Sequence, residues 1–143
     1  MSILFNSKSP EWSFLSNMFI SPMIIDGKEY LTVEHWFQSQ KFTNPELQEK
    51  IRLCKSPFAA RKLGKTRDES FRTDWDVARN EVMKKGVREK FQQNAGLRDR
   101  LLGTGTLELK EDSSWDSYWG SGRSGKGSNQ MGILLMELRS EFS

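Results

Sequence analysis

Apolar residues near the start of the chain come in short runs separated by polar residues, a pattern typical of short β-strands. Asp26 and Gly27 separate two of these runs, and this pair favours a two-residue hairpin turn. The pattern therefore predicts a small antiparallel sheet at the N-terminal end. The predicted strands cover about residues 3–5, 14–19, 23–25 and 30–31.

From residue 33 onward the apolar residues recur every three or four positions, which is the period of a helix with one buried face. Thr32 is expected to cap the first helix, and Leu107 and Leu109 alternate with polar residues as in a strand that returns to the sheet. We predict a single α+β domain over residues 1–143, mostly helical. The predicted helices cover about residues 33–43, 45–53, 57–64, 74–93, 97–102 and 129–142.

The last predicted helix carries an apolar stripe with the spacing i, i+3, i+4, i+7 and i+11. We interpret this stripe as part of the core and not as a cofactor-binding surface. Its members are Met131, Leu134, Leu135, Leu138 and Phe142.

Among its 143 residues the chain has one cysteine, Cys54, and one histidine, His35. One cysteine excludes a disulfide framework, and there are too few nitrogen and sulfur ligands for a zinc site. A Ser/His or Cys/His nucleophile pair is equally disfavoured, so catalysis would depend on carboxylates, lysine or tyrosine. Since we find no leader and no membrane-length apolar run, we expect a cytoplasmic protein with no membrane partner, no metal and no cofactor.

Cations are concentrated between positions 61 and 72, although the net charge of the whole chain is only +3. Such a run is compatible with a clamp for a phosphorylated small ligand, with a patch for the backbone of nucleic acid, and with an ordinary solvated surface. The run by itself leaves these three interpretations open. The cations are Arg61, Lys62, Lys65, Arg67 and Arg72.

Residues 119–132, here called the glycine loop, contain five glycines and the two cations Arg123 and Lys126. Glycine backbones approach phosphates closely, and the helix that follows directs its N-terminal dipole at the same place. The loop has the spacing of a dinucleotide-binding motif but no buried strand before it. Gly127 also stands where a nucleotide triphosphate loop needs Ser or Thr. We expect an anionic, phosphorylated ligand, with a flexible solvated loop as the alternative.

Three polar residues of the first predicted helix, Glu34, Gln38 and Lys41, form a stripe along the edge of its apolar face. A carboxylate and a lysine in such a position can reach one cleft, where burial changes their pKa values and favours acid–base or nucleophilic chemistry. The alternative is that Glu34 and Lys41 only complement the helix dipole.

Two clusters of tryptophan and aspartate lie outside the amphipathic patterns, one around Trp75 and one around Asp116 with Trp119. Aromatic rings beside carboxylates and a cationic loop suit a flat heterocycle that carries a sugar phosphate. Ordinary packing of large aromatic residues is the competing explanation for each residue taken singly.

Five segments, found in this order along nearly the whole chain, resemble the motifs of the NADAR, or YbiA-like, family of N-glycosidases. Of these, the motif at 32–41 and the motif at 116–120 with its trailing helix are specific in combination. One departure is Met18, which stands where the family usually has an aromatic residue, and this puts base stacking at that position in doubt. The segments cover residues 14–17, 26–28, 32–41, 116–120 and 125–139.

The resemblance implies a YbiA-like α+β fold and hydrolysis of the bond between ribose C1 and an exocyclic amine of a base. Implied substrates are phosphoribosylamino-pyrimidine intermediates of riboflavin synthesis, or ADP-ribosylated guanine, either free or within nucleic acid. By motif, Glu34, Trp75 and Asp116 match the activity-critical acid, tryptophan and second acid of the family. Lys41 matches the helix lysine for which the family suggests a covalent imine to the sugar.

We therefore expect Glu34, Lys41 and Asp116 to be catalytic, with a small phosphorylated molecule as partner. The rival hypotheses are a non-catalytic module that binds nucleotides or ADP-ribose, and a nucleic-acid binder that uses the basic run. The oligomeric state is not predicted. The expected substrate-binding residues are Asn17, Gln38, Arg72, Trp75, Trp119, Gly120, Arg123, Lys126 and Asn129.

Overall fold

The computed structural model describes residues 1–143 and contains six helices and four short strands. The α+β prediction is confirmed. The elements are β1 (Ser2–Phe5), β2 (Met23–Ile25), β3 (Lys28–Tyr30), α1 (Val33–Ser39), α2 (Pro45–Arg52), α3 (Pro57–Leu63), α4 (Trp75–Gln93), α5 (Ala95–Leu102), β4 (Glu108–Glu111) and α6 (Gln130–Phe142).

These elements form two units, which we describe separately. The terminal unit consists of Met1–Phe19 and Ala95–Ser143, and the central unit of Ile20–Asn94. The prediction of one domain over 1–143 stays a prediction. None of the six helices is long and apolar enough to cross a lipid bilayer.

In the terminal unit, β1 pairs in parallel with β4, from Ser2 opposite Glu108 to Phe5 opposite Glu111. The helix α6 packs on β4. Its predicted apolar stripe is confirmed as core except at its last position: Met131, Leu134, Leu135 and Leu138 are buried, and Phe142 is only partly buried. The returning strand was thus predicted correctly, but it joins β1 in a sheet of its own and not the N-terminal hairpin.

The predicted strand over 14–19 is wrong, because Ser13–Leu15 form a short 3-10 helix. Phe14 is buried, so the apolar residues of this segment do indicate burial, but the segment does not pair as a strand. Local serine hydrogen bonds explain the difference: the amide of Ser16 donates to the carbonyl of Ser13, and the amide of Met18 donates to Ser16 Oγ. Such bonds compete with a strand ladder for the same backbone groups.

In the central unit, β2 and β3 form the predicted antiparallel hairpin. Asp26 and Gly27 have φ of 52° and 80°, the left-handed conformation that a tight two-residue turn of this kind requires. All residues of α1 are buried, and Thr32 caps it by accepting a hydrogen bond from the amide of His35. Trp36 packs against α4, where its Nε1 donates to the Val82 carbonyl and a Cβ at Gly86 would collide with its ring.

The helix α1 ends at Ser39, four residues before the predicted end. The chain beyond it turns into an antiparallel bridge between Phe42 and Phe71. The amide of Arg72 donates to the carbonyl of Lys41 at 2.8 Å, and the amide of Thr43 donates to Ser70 at 2.8 Å. Because this pairing is a tertiary contact, helical periodicity could not reveal it. Lys41 therefore lies in the turn after α1 and not on the helix.

Candidate functional site

The buried carboxylate of Glu34 is the centre of a polar cluster in the central unit. Glu34 is 4% exposed, and its Oε2 accepts hydrogen bonds from Gln38 Nε2 at 2.8 Å and from Arg61 Nε at 3.0 Å. Glu34 and Gln38 meet because they lie one helical turn apart on α1, whereas Arg61 comes from α3. The other oxygen, Oε1, makes no hydrogen bond.

The ion pair between Glu34 and Arg61 explains how a carboxylate can be buried at this position. A buried charge is strongly destabilising unless it is paired and hydrogen-bonded. The Arg61 side chain is about one-third exposed, 33% against 6% for that of Glu34, so the pair reaches from the interior toward solvent. It leaves a carboxylate that is fixed in place and has one oxygen without a partner.

Gln38 fits in its position because Gly64 has no side chain. Gln38 is 5% exposed, and its Oε1 is buried without a hydrogen-bond partner. A Cβ on Gly64 would collide with that oxygen. Gly64, the C-cap of α3, thus makes the space in which Gln38 can donate to Glu34.

Lys41 approaches the same region from the turn after α1. Its Nζ donates a long hydrogen bond to the Gly64 carbonyl at 3.5 Å and lies 5.7 Å from the centre of the Phe37 ring. Burial lowers the pKa of Lys41 to about 8. The charge of Arg67 is the next largest cause and acts in the same direction, whereas Glu34 opposes it. The amine is therefore partly neutral near physiological pH.

Arg67 shares the Gly64 carbonyl with Lys41. Its NH1 donates to Gly64 O at 2.9 Å and to Thr66 O at 2.8 Å. The guanidinium carbon lies 4.0 Å from the centre of the Phe71 ring. We call Glu34, Gln38, Lys41, Arg61, Gly64 and Arg67 the Glu34 cluster.

Arg72 and Trp75 have strong contacts of their own within the central unit. Arg72 binds both carboxylate oxygens of Asp74 at 3.0 Å, which also keeps Asp74 from capping α4. Trp75 is 7% exposed and packs against Phe37, with ring centres 5.0 Å apart. Contact of Arg72 or Trp75 with substrate stays a prediction.

The glycine loop, in the terminal unit, uses its amides internally. The amides of Gly127 and Asn129 donate to the carbonyls of Ser121 and Gly120. At the start of α6, Gln130 and Met131 donate to the carbonyls of Tyr118 and Trp119. These groups were the expected phosphate donors, and they already have partners. The loop can therefore offer a ligand mainly its side chains.

Arg123 and Lys126 are the side chains best suited to that role, since both are exposed and neither makes a side-chain hydrogen bond or ion pair within the chain. Asn129 instead supports the loop: its Nδ2 donates to Leu109 O at 2.9 Å and its Oδ1 accepts from the Glu111 amide at 3.0 Å. Substrate contact by Asn129 stays a prediction.

Asp116 shapes the segment that leads into the glycine loop. Its Oδ1 accepts hydrogen bonds from the amides of Tyr118 at 3.0 Å and Trp119 at 2.8 Å. Its Oδ2 makes no hydrogen bond, which leaves one oxygen for a ligand. The Trp119 ring meets Tyr118 edge to face at 4.9 Å.

The two remaining predicted substrate residues of the terminal unit are buried. Gly120 is buried, and a Cβ there would press on the Glu111 carbonyl, so its lack of a side chain serves the loop's own packing. Asn17 is 8% exposed, and its Nδ2 lies 3.5 Å from Met131 Sδ. No group of three or more His, Cys, Asp or Glu side chains could hold a metal ion.

The pairing of Arg61 with Glu34 and the position of Arg67 beside Lys41 were not predicted from the sequence. The only available signal was the density of cations between 61 and 72, which did not show the partner of each.

Comparisons with known proteins were made for the whole chain. A family model described as the NADAR domain matches residues 4–143. N-glycosidase YbiA of Escherichia coli strain K12 is 42% identical over 141 residues, which cover 99% of this chain and 88% of that protein. A riboflavin biosynthesis protein of Vibrio vulnificus is 39% identical over 140 residues, 98% of this chain and 38% of that protein. The NMR structure of Escherichia coli YbiA matches with a TM-score of 0.90 and 41% identity, covering 99% of this chain and 86% of that one.

Proposed function

This chain belongs to the NADAR domain family and is a hydrolase of N-glycosyl bonds, and we propose that it cleaves the bond between ribose C1 and an exocyclic amine of a base. The proposed substrates are small phosphorylated ribosylamines, the phosphoribosylamino-pyrimidine intermediates of riboflavin synthesis, acted on in the cytoplasm. Similarity to a riboflavin biosynthesis protein supports this choice over ADP-ribosylated guanine.

One observation supports the chemistry most directly: a half-buried lysine amine with a pKa of about 8 lies within electrostatic reach of the buried carboxylate of Glu34. A neutral amine is a nucleophile, and an ammonium is not. Glu34 has one oxygen, Oε1, without a hydrogen bond and so can accept and return a proton. Lys41 and Glu34 together are a nucleophile and a proton carrier.

The proposed reaction begins with attack of the neutral Lys41 amine on ribose C1. The attacking nitrogen loses a proton to Glu34, and Glu34 returns it to the exocyclic nitrogen as the bond from C1 to that nitrogen breaks. The base leaves as a free amine. The C1–O4 bond of the ribose ring then breaks, the second proton of the Lys41 nitrogen passes to O4, and the sugar stays on Lys41 as an open-chain imine. Water then adds to C1 and releases the sugar and the lysine, so that one water is consumed per turnover.

The remaining site residues are proposed to bind the substrate. Asp116 would hydrogen-bond the ribose hydroxyls or a water through its open Oδ2. The Trp119 ring would stack on the base. Arg123 and Lys126 would contact anionic parts of the substrate. The proposed binding set further includes Asn17, Gln38, Arg72, Trp75, Gly120 and Asn129.

The function is tested by incubating the protein with a phosphoribosylamino-pyrimidine and, in parallel, with ADP-ribosylated guanine, and measuring released base by chromatography. We expect release from the first substrate. Release of base only from ADP-ribosylated guanine would mean that this compound, and not the phosphoribosylamino-pyrimidine, is the substrate. A folded protein that binds either compound and releases no base would instead be a binding module.

The covalent step is tested by adding borohydride during turnover, which should reduce the imine and leave a sugar phosphate on the peptide that contains Lys41. Lys41→Arg should abolish the adduct, because a guanidinium keeps its proton and is a poor nucleophile. Lys62→Arg is the matched control, since Lys62 is exposed and its side chain makes no hydrogen bond or ion pair. Substantial activity of Lys41→Arg without any adduct would leave Lys41 a positioning role and point to direct attack by water.

A further inference from the structure

The five cations between 61 and 72 differ in what their side chains contact. Arg61 is paired with Glu34 and Arg72 with Asp74, each at 3.0 Å. Arg67 has no carboxylate partner, and the nearest acid in sequence, Asp68, instead bonds the amide and hydroxyl of Ser70. The charge of Arg67 is therefore not neutralised by the chain itself.

Arg67 is nevertheless held in one orientation. Two carbonyls bind its NH1 atom, those of Gly64 at 2.9 Å and Thr66 at 2.8 Å, and the guanidinium stacks on the Phe71 ring at 4.0 Å. Its Nε and NH2 atoms make no hydrogen bond within the chain. A guanidinium fixed on one side with donors open on another is preorganised to bind a phosphate through two parallel hydrogen bonds.

Lys41 lies close to Arg67, because the Lys41 Nζ and the Arg67 NH1 donate to the same Gly64 carbonyl. Two cations that share one acceptor repel each other, and the charge of Arg67 accordingly lowers the pKa of Lys41. An anion bound at Arg67 would relieve that repulsion. Arg67 thus supplies a positive charge for a phosphate next to Lys41, the proposed nucleophile.

We propose that Arg67, next to Lys41, is the subsite that binds the phosphate of the substrate, an inference that rests on the proposed function. From the sequence, both the basic run and the glycine loop were candidates for binding the phosphate, and Arg67 is one residue of the basic run. The phosphate would anchor the sugar so that its C1 end reaches Lys41. In the glycine loop, by contrast, the expected amide donors are already occupied.

The subsite is tested without turnover by measuring how fast acetic anhydride acetylates Lys41 in the full chain, read by mass spectrometry, as inorganic phosphate is added. Phosphate should slow acetylation of Lys41, because an anion bound at Arg67 raises the pKa of the neighbouring amine. Arg67→Gln should weaken this protection about tenfold or more, the scale of one charge-assisted hydrogen bond. Arg67→Lys should keep only part of it, since an ammonium cannot bind both carbonyls and the phosphate with the same geometry.

Two variants serve as comparisons. Lys62→Gln removes an exposed cation of the same run whose side chain makes no hydrogen bond or ion pair, and protection should be unchanged. Arg123→Ala with Lys126→Ala removes both cations of the glycine loop and tests the rival position of the phosphate. Loss of protection in this double variant alone would move the phosphate to the loop, and no protection in the unmodified protein would likewise overturn the proposal.

The outcomes separate this inference from the proposed function. Arg67-dependent protection in a protein that releases no base would leave the subsite standing and remove the glycosidase. If base is released, Arg67→Gln should raise KM for the phosphorylated substrate far more than it lowers kcat. It should leave KM for the dephosphorylated compound unchanged. An unaltered KM for the phosphorylated substrate would overturn the subsite while the function stood.

Discussion

Glu34 and Glu46 occupy equivalent positions, the second residue of α1 and of α2, but their surroundings differ. Glu46 is exposed and is the acid of the first turn of its helix, where a negative charge favours the helix dipole. Glu34 is buried and accepts hydrogen bonds from two side chains. The pair allows a catalytic role to be separated from a dipole role.

We predict that Glu34→Gln lowers the rate of base release by about two or more orders of magnitude, the scale of a positioned acid or base. Glu46→Gln loses the same charge at the same helix position and should keep normal activity. Steady-state kinetics give the rates, and circular dichroism shows whether each variant is folded. Normal turnover by a folded Glu34→Gln would leave only the dipole explanation.

At the residue scale, local spacing predicted part of the Glu34 cluster and could not predict the rest. Glu34 and Gln38 are one turn apart, so helical geometry alone brings them together. Arg61 lies 27 positions from Glu34 in the sequence, and no periodic pattern links residues on different helices. Lys41 lies within electrostatic reach of Glu34, but in the turn after α1 and not on the helix, because the chain pairs at Phe42 beyond the end of α1.

At the element scale, the contact between α1 and α3 depends on the backbone surface at Gly64. The φ of Gly64 is −64°, which any residue adopts, so the requirement for glycine is purely steric. A methyl group here would displace the Gln38 side chain, and its hydrogen bond to Glu34 would break.

We predict that Gly64→Ala lowers kcat about tenfold or more, because Glu34 loses one hydrogen bond to a charged group, worth about 1.5–3 kcal/mol. Gly96→Ala is the matched control: a Cβ at Gly96, in α5, meets nothing within 4 Å, and alanine there should stabilise slightly. Kinetics together with thermal unfolding separate the two effects. Full activity of Gly64→Ala would show that Gln38 does not orient Glu34.

The glycine loop shows, also at the element scale, that glycine content alone does not reveal why the glycines are needed. Five glycines were interpreted as amides exposed to a phosphate. The structure shows that Gly127 and Gly132 are instead required because the chain folds back on itself, where a Cβ would strike backbone carbonyls. Composition reports that side chains are absent, and only the hydrogen-bond partners show what fills the space.

For the whole molecule, the sequence predicted the fold class and most helices, because both follow from local periodicity. The pairing of strands did not follow, since β1 and β4 are separated by about a hundred residues and either could have joined the hairpin. Protonation of the buried His35, in contrast, should change the free energy of unfolding of the entire chain.

His35 is fully buried between two partners: its Nε2 donates to the Cys54 carbonyl at 3.0 Å, and its Nδ1 lies 2.8 Å from Thr32 Oγ1. A carbonyl can only accept, so the ring is the Nε2-protonated neutral form, with Nδ1 as acceptor. Burial lowers the pKa of His35 below its ordinary value of 6.5. Below that value the unfolded chain binds a proton that the folded chain does not, so stability is lost as pH falls.

We predict that the free energy of unfolding decreases as pH falls from about 6.5, with a slope of up to about 1.4 kcal/mol per pH unit from this one group. Buried Lys90 adds little pH dependence between pH 5 and 7: its pKa is lowered to about 7, so its contribution to the free energy of unfolding changes mainly above pH 7. Urea unfolding of the unmodified chain and of His35→Gln, at steps between pH 5 and 7, measures the effect. His35→Gln loses stability at every pH because its partners change, but the difference from the unmodified chain should shrink as pH falls. A difference that stays constant across this range would mean that His35 titrates alike in the folded and unfolded states.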